Sequence, residues 1–118
     1  MRKFAAPPLP SALACGLLED NERALFLLRK NVQGVETIEL PCVLLQKGDN
    51  PVSALSSAFR AQTGIDAQVH EILFEKRWNA GTRKKKVWVP ALMFKVTAKN
   101  ASVRLSPEFS GCKWLFEK

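Results

Sequence analysis

Apolar and polar positions along the chain switch between the repeat of a strand and that of a helix. From Ala12 to Glu19 the run ALACGLLE is almost continuously apolar, the pattern of a strand buried on both faces. The polar cluster Glu19-Asp20-Asn21-Glu22 interrupts it, and Ala24 to Arg29, ALFLLR, resumes as a second strand, so the two runs predict a hairpin. Gly34 opens a loop, and Thr37 to Leu40 is a short extended piece that ends at Pro41.

A helix is predicted from Pro51 to Thr63. Asn50 is a good N-cap, and Pro51 suits the first helical position, where its missing N–H would be unpaired anyway. Gly64 can adopt the left-handed conformation that closes a helix. Val52, Leu55 and Phe59, spaced by three and four, form the stripe expected to face a sheet, with Ser53, Ser56 and Arg60 on the wet side. Two long strands follow, Gln68 to Trp78 and Lys85 to Thr97, separated by the loop NAGTR. A turn around Ser106-Pro107 leads to a last short strand near Cys112 to Phe116. Strands, one helix and more strands predict a mixed α/β fold.

Composition narrows the class. The chain of 118 residues is one domain's worth, divided here into a flexible lead-in over residues 1–11 and a single domain over 12–118. Its 47% hydrophobic and 25% charged residues are those of an ordinary globular domain. No apolar run approaches the roughly 20 residues that span a bilayer, so no membrane is expected. The start, Met1-Arg2-Lys3 followed by small apolar residues and Cys15, imitates a secretory signal, but Pro7, Pro8 and Pro10 interrupt the segment. Three widely spaced cysteines, Cys15, Cys42 and Cys112, argue against a disulfide framework and a zinc site, and for a reducing, cytoplasmic location. The formal net charge of +7 implies attraction to phosphates, nucleic acid or an anionic surface.

The stretch ELPCVLLQKGDNPVSALSSAFRAQTGID carries Leu40-Pro41, Gly48 ahead of the helix, Pro51, Ala54-Leu55 and Thr63-Gly64-Ile65. In this order and spacing they resemble the box of the Nudix (MutT-like) hydrolase superfamily, G-x5-E-x7-R-E-U-x-E-E-x-G-U. The run ALFLLRK resembles the strand before the box, and SPEFSGCKWL the family's closing SPEHxxxxWL segment, so the resemblance covers nearly the whole chain. It implies a Nudix-type fold: a mixed β-sheet with the box helix packed on it.

The departures bear on function. With Gly64 setting the register, Val43 stands at the box's first glycine and Asp49 at its first glutamate. Ser57 stands at the arginine, and Ala58, Ala61 and Gln62 at the three remaining glutamates. Positions 58, 61 and 62 are spaced i, i+3 and i+4 and share one helical face. Glutamates there would hold magnesium beside a substrate diphosphate. Two alanines and a neutral amide cannot, so no metal and no cofactor are expected, and the box is degenerate. Asp49 and Glu108 are the weak candidates for relocated ligands, with magnesium required only in that case. Glu71 and Glu75 share a strand face and are better read as partners of lysines and arginines. The single histidine, His70, has no motif partner and is given no role.

The densest feature is Lys76-Arg77-Trp78, a short loop, then Arg83-Lys84-Lys85-Lys86-Val87-Trp88. Paired as a hairpin, these strands gather cations and two tryptophans at one end. Arg77, Arg83, Lys84, Lys85, Lys86, Trp78 and Trp88 are therefore the candidate phosphate or nucleic-acid residues, with charge for phosphate and rings for bases. The bland alternative is a solvated tip that blocks edge-to-edge pairing, the tryptophans partly in the core. Trp114 reads as core. The family's second helix, after the Trp-Leu segment, has no counterpart before Lys118, so either the chain is trimmed or a homodimer or larger assembly is expected to cover the sheet face.

Three readings remain: a non-catalytic module binding nucleotide or RNA, an active pyrophosphohydrolase with relocated ligands, and a structural protein–protein subunit.

Overall fold

In the computed structural model residues 9–116 are described; residues 1–8, most of the expected lead-in, and 117–118 lie outside the described residues. The chain forms β1 (Ala12–Asp20), β2 (Arg23–Lys30), β3 (Glu36–Glu39), β4 (Cys42–Leu45), α1 (Pro51–Thr63), β5 (Gln68–Asn79), β6 (Trp88–Thr97) and β7 (Gly111–Phe116). One helix on a mixed sheet is the expected α/β class.

The polar break after β1 is a two-residue hairpin turn. Asn21 and Glu22 both take positive φ, 54° and 66°, which matches the twist of the flanking strands. β1 is the spine of the fold. Its first half pairs antiparallel with β4, residues 13–18 pair parallel with β6, and its end pairs with β2. The strand order is β3-β2-β1-β6-β5, with β4 also beside β1 and β7 beside β2. A parallel β1–β6 pair needs a long crossover, and the segment carrying α1 supplies it.

Both ends of α1 follow local chemistry. The Asn50 side chain accepts from Val52 N–H at 3.0 Å and Ser53 N–H at 3.2 Å. Gly64 closes the helix at φ 72°, its N–H donating to the Arg60 carbonyl at 2.9 Å. Leu55, Phe59 and Thr63 are buried, and Leu55 and Phe59 join Leu18, Leu25, Leu27, Ile65, Phe94, Val96 and Phe109 in the core. Trp114 is half-buried and packs against that cluster.

The expected stripe is corrected at one end: Val52 is 42% exposed and Thr63 takes its place. The buried positions step by four and lean toward the helix C-terminus, where Ile65 and Ala67 continue the core, so the first turn overhangs it. The Thr63 hydroxyl stays satisfied by donating to the Phe59 carbonyl at 2.6 Å.

β4 was not expected; its four residues follow Pro41 too closely to show a period. β6 begins at Trp88 and not at Lys85, because the Asn79 side chain captures the Val87 N–H at 2.9 Å. β5 ends the strand path and is exposed along most of its length, including Ile72, Leu73 and Phe74. Two register shifts against β6, between Val69 and Ile72 and between Ile72 and Phe74, break its regular alternation. Among the described residues no helix is long and apolar enough to cross a membrane.

Candidate functional site

On the box helix Ser57 and Ala61 are exposed, and Ala58 and Gln62 half-buried. Gln62 Nε2 donates to the Cys42 carbonyl at 2.8 Å, tying the helix to β4, while its buried Oε1 has no partner. That single neutral oxygen is the only side-chain donor that positions 58, 61 and 62 offer a cation.

Nor do acids from elsewhere converge there. Asp49 Oδ2 accepts from the Gln46 N–H at 2.8 Å and so closes its own loop turn rather than reaching Ser57. Glu108 is engaged elsewhere, accepting from Ser106 Oγ at 2.9 Å and lying 3.6 Å from Arg29 Nη1. Among the described residues no three His, Cys, Asp or Glu side chains are grouped as metal ligands would be. The residues present do not fit a divalent cation, and no metal-dependent step can be derived from them.

Arg29 gathers two acids, Glu39 and Glu108. Its Nε donates to Glu39 Oε1 at 2.8 Å, and its guanidinium stacks 4.7 Å from the Phe109 ring centroid. The bond to Glu39 pushes the Arg29 pKa up from its ordinary value. Cys42 Sγ lies 4.0 Å from the other Glu39 oxygen.

The hairpin end is built differently. β5 and β6 place Trp78 opposite Val89 and Asn79 opposite Trp88, and residues 80–87 form the loop between them. Asn79 holds that loop: its Oδ1 accepts from Gly81 N–H and Val87 N–H, both at 2.9 Å, and its Nδ2 donates to the Thr82 carbonyl at 3.1 Å. Thr82 Oγ1 accepts from Lys85 N–H at 2.9 Å. Gly81 leaves no room for a side chain, since a β-carbon there would overlap the Lys85 carbonyl oxygen.

A loop that satisfies its own backbone leaves its long side chains free. Arg83, Lys84, Lys85 and Lys86 are all exposed, and Trp88 is 50% exposed. The Arg77 guanidinium lies 4.6 Å from the Trp88 ring centroid and Lys86 Nζ 6.0 Å from it. A surface depression lined by Glu75, Lys76, Arg77, Trp88, Val89 and Pro90 adjoins this ring. Six of the seven hairpin candidates therefore surround one exposed end, while Trp78 is half-buried in the strand pairing.

No family model matches the sequence, and no curated protein matches it. Solved structures do match the fold. A MutT protein from Methanosarcina mazei Go1 superposes with a TM-score of 0.74 at 18% identity, over 94% of this chain and 80% of that one. A NUDIX hydrolase from Nitrosomonas europaea gives 0.73 at 13% identity, over 91% and 72%. The chain has the Nudix fold. A UDP-X diphosphatase also matches, with a TM-score of 0.71 at 16% identity over 95% of this chain, which spans only 53% of that protein.

Within this Nudix fold α1 is capped at both ends, packs on the core, and carries no carboxylate at positions 58, 61 and 62. Two groupings escaped the sequence reading: Arg29 with Glu39 and Glu108, and Cys15 with Cys42. Arg29 meets Glu39 across the β2–β3 pair and Glu108 from the turn before β7, while Cys15 meets Cys42 across the β1–β4 pair, and no local pattern signals these meetings.

Proposed function

We propose that this Nudix-fold domain binds a phosphate-bearing ligand, a nucleotide or RNA, through its basic hairpin tip, and does not hydrolyse it by the metal-dependent route. The observation that carries the binding half is the half-exposed Trp88 flanked by Arg77 and Lys86, with Arg83, Lys84 and Lys85 also exposed in the same loop. A ring offers stacking area to a base, and neighbouring lysines offer neutralising charge to phosphate. The non-catalytic half rests on Ala58, Ala61 and the amide of Gln62. A fold neighbour named for nucleotide chemistry, the UDP-X diphosphatase, supports nucleotides as a ligand class.

The test is a fluorescence titration with uridine diphosphate and with a short oligouridylate at low and high salt. Salt-sensitive quenching of tryptophan emission is expected with at least one of them. No binding at low salt, or binding that ignores salt, defeats the reading. Magnesium-dependent release of phosphate or nucleoside monophosphate from a panel of nucleotides would favour an active hydrolase instead.

A second reading, a protein–protein module, is favoured by the apolar run Ile72-Leu73-Phe74 exposed along the edge strand β5. Sedimentation across a concentration series tests self-association directly.

A further inference from the structure

We propose that Cys15 and Cys42 are a redox-active dithiol, a modification site at the start of the box loop that peroxide closes to an intramolecular disulfide. The two residues are direct cross-strand partners in the antiparallel β1–β4 pair. The neighbouring Gly16 N–H donates to the Pro41 carbonyl at 2.9 Å, which places Cys15 and Cys42 at a non-hydrogen-bonded position of the ladder. At such positions the Cα atoms stand about 4.5 Å apart and the side chains leave the same face toward each other. That separation falls within the roughly 4.4–6.8 Å range of disulfides, so closure needs side-chain rotation and no movement of the strands.

Both thiols are free, and they lie near enough to perturb each other's ionisation. The contact with Cys15 pulls the Cys42 thiol down, while the same contact and burial push the Cys15 thiol up. Cys42 is half-buried and Cys15 buried, so the more accessible thiol is also the better thiolate. Cys112 lies on β7 opposite Leu27 and is a strand partner of neither thiol, so it can be replaced without touching the pair.

The chemistry balances with peroxide as the oxidant. The Cys42 thiolate attacks a peroxide oxygen, breaking the O–O bond and giving a sulfenic acid and, after proton uptake, one water. Cys15 then attacks that sulfur, forming the S–S bond and releasing a second water with its own proton. Closure removes the Cys42 S–H, and with it the contact to Glu39 within the Arg29 group.

The experiment uses the full chain carrying Cys112→Ser, treated with hydrogen peroxide, then alkylated and mapped without reductant. Expected is a loss of two hydrogens from the intact mass, a peptide joining Cys15 to Cys42, and complete reversal by dithiothreitol. Cys15→Ser should instead drive Cys42 on to sulfinic acid, since nothing is left to resolve the sulfenic acid. If that variant does not fold, the mapped Cys112→Ser protein decides alone. Sulfinic acid on Cys42 while Cys15 remains alkylatable, or cross-links only between molecules, would overturn the proposal.

Discussion

Phe59 occupies the space that a side chain at position 16 would need. A β-carbon on Gly16 would overlap Phe59 Cε2 and stand 2.9 Å from its Cζ and 3.0 Å from Val96 Cγ2. The absence of a side chain on β1 is what lets the box helix seat its largest apolar residue against the sheet. Gly16→Ala should therefore destabilise by about 1–3 kcal/mol, the usual cost of overpacking a filled core. Urea unfolding followed by tryptophan fluorescence measures it. An unchanged midpoint would mean that Phe59 is not held as described. Phe59→Leu combined with Gly16→Ala should recover part of the loss.

The proposed binding at the tip divides into two separable contributions. Replacing Lys84, Lys85 and Lys86 with alanine should weaken oligouridylate binding and flatten its salt dependence by about 2 logarithmic units per decade, since each phosphate contact to a single strand adds about 0.7. Trp88→Ala should cost about 1–3 kcal/mol of binding while leaving the salt slope in place. Equal affinity in the lysine variant would remove the hairpin from the site.

Asn79 is expected to matter for binding without touching the ligand. Its three hydrogen bonds shape residues 80–87, and no other side chain makes more than one of the bonds found in that loop. Asn79→Ala should leave the unfolding midpoint within about 1 kcal/mol of the parent in stability, because the loop is exposed. Amide signals of residues 80–87 should broaden, and affinity for the oligouridylate should fall. Full affinity alongside a disordered tip would show that charge alone suffices.

How much of this was legible beforehand follows the range of the forces involved. α1 could be read to the residue because Asn50, Pro51 and Gly64 act on their own backbone neighbours. β1 and β2 could be read because burial makes their apolar runs continuous. β4 could not, since Cys42–Leu45 is short and becomes a strand only when β1 is beside it. Val52 was misplaced because a helical stripe records a face but not where along the helix the sheet ends. The cations of the tip were plain in the sequence. Their arrangement around Trp88 depends on the start of β6, which an asparagine side chain had shifted by three residues relative to the apolar pattern.

The helix α1 allows the sharpest test, because carboxylates can be added to it. Positions 58 and 61 are one turn apart on a helix whose caps and packing are intact, so carboxylates placed there would project from the same face. In the parent protein, titration with magnesium to millimolar concentration should leave the amide signals of residues 57–64 unmoved. Ala58→Glu combined with Ala61→Glu keeps the Gln62 bond to the Cys42 carbonyl, and so preserves the link between helix and β4. It also adds two carboxylates on the helix that carries the unpartnered Gln62 Oε1. Saturable shifts confined to that helix are expected in the double variant. Shifts of the same size in the parent would mean that ligands reach the helix from elsewhere, and the non-catalytic reading would fall with them.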